Sequence, residues 1–324
     1  MHESFLCGGD TGSLKARKKE DGKMELATVI FLFLVGIVFI VKGGDFFVDA
    51  ASWIAEVSGI PKLIVGATIV SLATTLPEML VSVMAAAKGS VDMAIGNAVG
   101  SVTANIGLIM AISLICMPGI IKRADYLMKS VLMLAASVLI VMSGVSGQMG
   151  TAITIAMMVI FFFFLWENVS SAKRSMKASA DAAGRRKIQG KQEIAVNLAK
   201  FAVGAVGIVW GADLLVDNGS ALAAMVGVPE RVIGVTIIAV GTSLPELVTT
   251  VTAIIKKQSS LSVGNILGAN IIDLTLILPL CSLVSGKALP IAATSARYDL
   301  PACLLVGCIA VIPAMVFQKF QKWQ

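Results

Sequence analysis

Two glutamates stand in the middle of long apolar segments, each directly after a proline. Glu78 ends the sequence ATTLPE (residues 73–78), and Glu246 ends the sequence GTSLPE (residues 241–246). Proline has no N–H and collides with the carbonyl four residues earlier, so each motif interrupts a helix and frees a backbone oxygen. In hydrocarbon, a freed carbonyl or a carboxylate is costly unless it lines a cavity or binds something. The motifs therefore predict a bound cation at each interruption.

Hydroxyl groups beside these carboxylates complete a ligand set made only of oxygen. Thr74 and Thr242 each precede their glutamate by four residues, so hydroxyl and carboxylate share a helix face. Hard cations such as Ca²⁺ and Na⁺ prefer carboxylate, hydroxyl and carbonyl oxygens. The alternative is that each glutamate is a paired structural residue inside the membrane. Two of them at equivalent positions, each beside a proline, favour the cation site.

A polar stripe follows each motif on the next apolar segment. The residues of each stripe are spaced by four and are Asn97, Ser101 and Asn105 in the first, and Asn265, Ala269 and Asp273 in the second. The sequences GxxxG at 96–100 and 264–268 overlap the stripes and allow helices to approach closely. We expect the stripes to lie against the interrupted helices, with Asp273 in the site.

The two motifs belong to an internal duplication. A shift of 168 residues superposes the two LPE sequences, the two GxxxG sequences, and Asn105 on Asp273, without a gap. Residues 59–83 and 227–251 share ten identities in 25 positions, and these include Thr, Pro, Glu and Gly. Chance similarity between apolar helices would not keep these types in register, so we infer a repeat.

The repeats must lie in a membrane. The chain of 324 residues is 57% hydrophobic and only 14% charged, with a mean hydropathy of +0.89, which is too apolar for a soluble domain. Several segments have the length that crosses a bilayer. We predict spans near 26–56, 63–87, 91–116, 126–145, 150–166, 194–225, 231–255, 259–285 and 299–318.

Five spans precede a polar link, and an odd number means that the second repeat enters the membrane from the opposite side. The predicted fold class is an all-α polytopic membrane protein with two inverted-topology five-helix repeats. The last helix of the second repeat is missing from this prediction, because the sequence stops at Gln324 where a tenth span should begin.

The predicted domain organisation has four parts. A polar N-terminal tail at 1–23 precedes membrane repeat 1 at 24–166, a cytoplasmic linker at 167–193, and membrane repeat 2 at 194–324, truncated before a tenth helix. The linker is rich in Lys, Arg, Ala, Ser and Gly, which is typical of a solvated flexible connector. Its basic residues place it in the cytoplasm. The basic N-terminal tail then lies outside, a conflict that a true start at Met24 would remove.

The LPE motif with a downstream GNxxG sequence, occurring twice and extended to GNxxGxN in the second repeat, resembles the α-repeats of the sodium/calcium exchanger (cation/Ca²⁺ antiporter) superfamily, in the prokaryotic form with two such repeats. The resemblance runs from about residue 26 to the end. It implies ten helices, with ions bound between the second, third, seventh and eighth. It implies that Glu78 and Glu246 bind Ca²⁺, assisted by backbone oxygens of Thr74 and Thr242. The implied Na⁺ or accessory positions are Thr75, Ser101, Ser243, Asn105, Asp273 and the carbonyl groups of Ser71 and Ala239.

Three positions depart from the family pattern. Ala269 stands where a serine is usual, which removes one hydroxyl ligand from one Na⁺ position. Val102 replaces an asparagine, and Ala73 replaces the glycine found at Gly241. Both glutamates are intact, so the departures bear on ion stoichiometry and not on the presence of a site.

The expected function is exchange of Ca²⁺ for Na⁺ by alternating access in the plasma (inner) membrane. The lipid bilayer is the expected surrounding, and Ca²⁺ and Na⁺ are the expected substrates, with no cofactor. The net charge of +6 fits cytoplasmic loops and does not argue for nucleic acid. No motif specifies an oligomeric state.

Three rival functions remain open at this level. A Ca²⁺/H⁺ antiporter is the alternative, because the same glutamates could cycle through protonation. A channel and an intramembrane hydrolase are remote. The only histidine, His2, lies in the tail, so the apolar core offers no Ser-His pair and no histidine metal ligand. We therefore expect a transporter and not an enzyme.

Overall fold

The computed structural model describes residues 11–116, 123–181, 190–228 and 241–317. Long apolar stretches form helices there because a helix satisfies every backbone polar group within its own segment, as a bilayer requires. The elements of the first half are α1 Thr11–Ser58, α2 Lys62–Val65, a π-helix Gly66–Val70, α3 Ser71–Thr74, α4 Leu76–Ala87, α5 Val91–Ala104, a π-helix Asn105–Met110, α6 Ala111–Cys116, α7 Arg123–Ser146, β1 Gln148–Met149 and α8 Thr151–Asp181.

The second half repeats this order. Its elements are α9 Lys191–Met225, α10 Leu244–Ile255, α11 Ser259–Ile272, a π-helix Asp273–Ile277, α12 Leu278–Ser285, β2 Leu289–Pro290, a π-helix Ser295–Asp299 and α13 Leu300–Phe317. Strands β1 and β2 pair antiparallel, with Met149 opposite Leu289. This short pair joins the loop after α7 to the loop after α12, which are loops of different repeats.

Seven helices in the described ranges are long and apolar enough to cross a membrane, and α2–α3 with α4 form an eighth span bent by 48°. The seventh predicted span, 231–255, is described only from residue 241, where α10 is its second part. The all-α polytopic prediction is confirmed, and the order of helices in the two halves fits inverted repeats.

Helices extend beyond the predicted spans at both ends of the first repeat. Residues 167–181, predicted to begin a flexible linker, continue α8, and residues 11–23 of the predicted tail are continuous with α1. Extending an existing helix avoids the cost of nucleation. Ala and Lys, which supply five of the 15 residues of 167–181, favour the helical state. Lys and Arg among Ala, Ser and Gly predict a solvated connector, but the same residues are compatible with a helix that continues beyond the bilayer.

Helices α1 and α9 cross at glycines that the duplication relates to each other. A Cβ atom on Gly43 would lie 2.9 Å from the carbonyl oxygen of Gly204, and one on Gly211 would lie 2.8 Å from that of Gly36. The shift of 168 residues exchanges Gly36 with Gly204 and Gly43 with Gly211. The crossing is therefore symmetric, and backbone-to-backbone packing holds the two helices together as one unit.

Helix α11 lies at the centre of the protein. The apolar window of the span 259–285 is 78% buried, against 17% for the spans of α1 and α9, so α1 and α9 are peripheral. Gly264 and Gly268 of α11 contact the backbone of the second span, where a Cβ atom would collide with the carbonyl groups of Leu63 and Ala67. This close approach was predicted. Around Gly96 and Gly100 no such contact is found among the described residues.

Candidate ion-binding site

The helix interruptions place both glutamates deep in the protein. The span 62–87 bends between Thr74 and Leu76, so α4 starts afresh and Glu78 lies in its first turn. Glu246 lies in the first turn of α10 in the same way, after Ser243. Both side chains are 1% exposed. The unpaired N–H groups and positive dipole end of each helix favour a negative charge there.

The polar stripes meet these breaks at two repeat-related π-helices. Asn105 and Asp273 are the first residues of the π-helices Asn105–Met110 and Asp273–Ile277, and both are 1% exposed. A third π-helix, Gly66–Val70, lies just before the first break. Short π segments inside α-helices are frequently found at functional sites. Here they surround the glutamates on the second, third and eighth predicted spans.

Hydrogen bonds join the two repeats across the centre of the site. Thr75 Oγ1 donates to Glu246 Oε1 at 3.2 Å. Thr74 Oγ1 lies 3.2 Å from Asn265 Oδ1 and 3.3 Å from the carbonyl oxygen of Ser71. The first motif therefore contacts both the glutamate and the stripe of the second repeat. The predicted contact between stripes and interrupted helices is present.

A third contact between the repeats joins the first stripe to α11 beside the second stripe. Asn105 Nδ2 donates to Asn270 Oδ1 at 3.1 Å. Asn97 instead bonds within its own repeat, where its Nδ2 lies 2.9 Å from Ser82 Oγ and 3.3 Å from the carbonyl oxygen of Glu78. Asn97 thus holds the backbone of α4 at the residue that carries the carboxylate.

Several buried oxygens at the site have no hydrogen-bond partner. They include both carboxylate oxygens of Glu78, Oε2 of Glu246, both carboxylate oxygens of Asp273, Oδ1 of Asn105 and Oγ of Ser243. A buried charge without a partner is very costly. Oxygen atoms with free lone pairs in this number are what a dehydrated cation requires.

The three carboxylates interact electrostatically with one another, and no ion pair within the described ranges involves any of them. The same ranges hold no group of three or more Asp, Glu, His or Cys at metal-binding distances. A cation here would therefore use two carboxylates completed by neutral oxygens. Asp273, the first residue of its π-helix, interacts electrostatically with both glutamates.

The remaining predicted residues are placed as follows. Ser71 is buried beside the break, and Ser101 is buried on α5. Thr242 is half-buried in the turn before α10. Ala239 and the sequence GVT at 234–236 lie outside the described residues. Sequence reasoning missed Thr249 and Thr250, which are fully buried and whose hydroxyls have no partner. They follow Glu246 by three and four residues, and that helical spacing was the available signal.

Comparison with known proteins decides the family. The pattern of the family described as sodium/calcium exchanger protein matches residues 28–169 and 196–324. The chain belongs to the sodium/calcium exchanger family. Its relatives are transporters, so the prediction that it is not an enzyme is confirmed and the hydrolase alternative is wrong.

Two relatives and one solved structure cover most of the chain. It is 33% identical over 294 residues to inner membrane protein YrbG of Escherichia coli, covering 88% of each. It is 30% identical to sodium/calcium exchanger MaX1 of Methanosarcina acetivorans, covering 92% of this chain and 95% of that one. The sodium-calcium exchanger NCX_Mj superposes with a TM-score of 0.73 at 27% identity, covering 92% and 94%. This exchanger family member is thus an integral multi-pass membrane protein of the cation/Ca²⁺ antiporter type.

Proposed function

We propose that the protein exchanges Ca²⁺ for Na⁺ by alternating access, with Ca²⁺ held between Glu78 and Glu246. The observation that carries this proposal is a pair of buried glutamates from opposite repeats with three carboxylate oxygens that have no hydrogen-bond partner. Two negative charges match one Ca²⁺, and carboxylate with carbonyl oxygen is its preferred ligand type. The relative MaX1 and the structural neighbour NCX_Mj both carry the name of sodium/calcium exchanger.

The neutral oxygens around the glutamates would complete the ion sites. Backbone oxygens of Thr74 and Thr242 assist Ca²⁺ in this proposal, because each stands one turn before a glutamate. The Na⁺ or accessory positions are Thr75, Ser101, Ser243, Asn105, Asp273 and the carbonyl groups of Ser71 and Ala239. Ala269 lies fully buried on α11 without a hydroxyl, so the Na⁺ position that it would line has one ligand fewer.

Burial of the carboxylates explains why transport would be exchange and not leak. Glu78, Glu246 and Asp273 are almost completely shielded from solvent. If access to the site changed from one face of the membrane to the other without a bound cation, three charges would stay uncompensated in a medium of low dielectric constant. Reorientation is therefore expected only with Ca²⁺ or with the ions that replace it.

Proton coupling is the second candidate, and one observation favours it. Asp273 takes the place of Asn105 in the second repeat, and both of its oxygens are buried without a hydrogen-bond partner. A protonated Asp273 would be neutral and would need no second cation. Proteoliposomes loaded with ⁴⁵Ca²⁺ separate the candidates. We expect efflux driven by external Na⁺ at equal pH, whereas efflux driven by a pH gradient without Na⁺ would establish the proton antiporter.

The decisive experiment is ⁴⁵Ca²⁺ uptake into proteoliposomes by the unaltered protein, by Glu78→Gln and by Glu246→Gln. Glutamine keeps the size and removes the charge, so we expect uptake to fall to the level of empty liposomes. Asp92→Asn is the matched control, because Asp92 is an exposed carboxylate at the start of α5. Gradient-driven uptake that survives either glutamate substitution would exclude this site.

The proposed location is the plasma (inner) membrane. The E. coli relative is named an inner membrane protein, and the linker 167–193 with its basic residues belongs on the cytoplasmic side in this orientation. The domain boundaries 1–23, 24–166, 167–193 and 194–324 remain part of this proposal. In sealed vesicles, we expect a protease to cleave within 182–189 from the cytoplasmic side only. Cleavage from the outside would show that the orientation is the opposite one.

A further inference from the structure

A lysine at the end of α10 binds two aspartates of α1. Lys256 Nζ lies 2.8 Å from Asp49 Oδ1 and 3.2 Å from Asp45 Oδ1. It also donates to the carbonyl oxygen of Asp45 at 3.0 Å. Because α1 belongs to the first repeat and α10 to the second, these contacts connect the repeats. They lie at the predicted cytoplasmic end of both helices. We name this set the first latch.

The duplication supplies a second set with the same residue types. The shift of 168 residues converts Asp45, Asp49 and Lys256 into Asp213, Asp217 and Lys88. Lys88 follows α4, and both aspartates are on α9. All three side chains are exposed, and none of them forms an ion pair within the described residues. We name this set the second latch, and it is open here.

A cavity adjoins each latch, and the one at the first latch has about 520 Å³ and is lined by Asp49, Trp53, Glu193 and Lys256, among others. The packing of the helices themselves differs. At the first latch, α1 contacts α10 so closely that a Cβ atom on Gly44 would lie 2.7 Å from Thr252 Oγ1. At the second latch, a cavity of about 420 Å³ separates α4 from α9 and is lined by Pro77, Val81, Val209, Trp210 and Asp213, among others. Pro77 adjoins Glu78. Both glutamates are buried here, so the two ends of the site differ in the state of their latches and in the packing of the peripheral helices.

The glycine crossing couples the two sides. Helices α1 and α9 meet backbone to backbone at Gly36, Gly43, Gly204 and Gly211, so they move together. A shift that brings Asp213 and Asp217 of α9 towards Lys88 of α4 then carries Asp45 and Asp49 of α1 away from Lys256. Closing the second latch therefore opens the first, and closing the first opens the second.

We propose that the two lysine–aspartate sets are alternative latches that hold the opposite access states of the transporter. The structure has the first latch closed and the second open, and in this proposal that combination gives access from the predicted outer side, because the closed latch holds the cytoplasmic ends of α1 and α10 together. In the opposite state the repeats exchange conformations, as inverted repeats do in alternating access. Lys88 then binds Asp213 and Asp217, and Lys256 is released. This inference rests on the proposed alternating-access function.

Two repeat-related cysteine reporters measure which side is open. Val81→Cys lines the outer cavity, and Thr249→Cys is its equivalent on α10, fully buried in this state. Both are placed in a chain whose native cysteines are replaced and whose ⁴⁵Ca²⁺ exchange is first verified. A membrane-impermeant methanethiosulfonate reagent labels Val81→Cys in right-side-out vesicles and Thr249→Cys in inside-out vesicles. The measured quantity is the ratio of the two labelling rates, outer over inner.

Neutralising the two lysines should change this ratio in opposite directions. Because the ion-paired side chains are partly exposed, we expect Lys256→Gln to lower the ratio about two- to fivefold and Lys88→Gln to raise it by a similar factor. The double exchange Lys256→Asp with Asp49→Lys should restore the ratio. Asp49→Asn and Asp217→Asn provide a second pair, with the same opposite signs, if a lysine variant does not fold.

Failure of the latch and failure of the proposed function are distinguishable. Equal ratios for Lys256→Gln and Lys88→Gln, or changes in the same direction, would overturn the latch while ⁴⁵Ca²⁺ exchange and its loss in Glu78→Gln still support the exchanger. Exchange that persists in Glu78→Gln would overturn the ion site, and the opposite shifts in labelling would still establish the latch.

Discussion

Thr75 of the first repeat donates a hydrogen bond to Glu246 of the second, with 3.2 Å between Oγ1 and Oε1. Both side chains are about 1% exposed, and the other oxygen of Glu246 has no partner. The hydroxyl thus partly compensates a buried carboxylate from the opposite half of the molecule. It is a direct energetic connection between the two motifs, and it exists because α3 ends at Thr74 and leaves Thr75 in the break.

Thr75→Val should destabilise the ion-free protein. Valine has a similar shape but no hydroxyl, so Glu246 Oε1 loses a hydrogen bond to a charged group, worth about 1.5–3 kcal/mol. We expect a lower midpoint of thermal unfolding in detergent with EGTA and without Na⁺. Saturating Ca²⁺ should reduce the difference, because the cation compensates the same charge. Thr75→Ser keeps the hydroxyl and should behave as the unaltered protein. An unchanged midpoint for Thr75→Val in EGTA would contradict this role.

Calcium should stabilise the fold through the two glutamates. A ligand that binds only the folded state at about a hundred times its Kd adds about 2.7 kcal/mol to the free energy of unfolding. We expect a Ca²⁺-dependent rise of the unfolding midpoint in the unaltered protein and in the control Asp92→Asn. In Glu78→Gln and Glu246→Gln the rise should be absent. A full rise in either variant would place Ca²⁺ elsewhere, whatever the transport assay gives.

The sequence was sufficient to predict the repeats, the spans and the two buried glutamates. Those follow from hydropathy, from a gap-free shift of 168 residues, and from proline in a spanning segment, which are all properties of single elements. The ion-binding role assigned to the site residues stays a prediction until it is measured.

Contacts between elements could not be predicted in the same way. Asn97 and Asn265 are repeat-equivalent, yet Asn97 bonds to Ser82 and the backbone of Glu78, while Asn265 accepts from Thr74 of the other repeat. Symmetric sequences give asymmetric contacts because the two halves are in different conformations. The π-helices at Asn105 and Asp273 also escaped prediction. The residues that follow them are apolar on most faces, so the sequence pattern does not show the extra residue.

The contact between α11 and the second span should not tolerate a side chain at Gly268. A Cβ atom there would collide with the carbonyl oxygen of Ala67 and with Ser71 Oγ. We expect Gly268→Ala to push α11 away from the break, lower stability by about 1–3 kcal/mol and abolish Ca²⁺-dependent stabilisation. Gly150→Ala is the control, because no atom lies within 4 Å of a Cβ there. Normal ⁴⁵Ca²⁺ uptake by Gly268→Ala would show that the approach is not needed.

Removing one partner of a buried ion pair outside the transport site should lower stability without changing ion selectivity. Lys129 of α7 lies 3.3 Å from Glu167 Oε2 of α8, and their side chains are 0% and 11% exposed. Lys129→Met removes one partner and leaves the other charge buried, which costs about 3–5 kcal/mol. The double variant Lys129→Met with Glu167→Gln removes both charges and should recover most of that loss, because an uncharged pair needs no compensation. Thermal unfolding of the four proteins gives the coupling energy. Additive losses would mean that the two side chains act independently, and a changed Na⁺ dependence of ⁴⁵Ca²⁺ exchange in the double variant would connect the pair to the ion site.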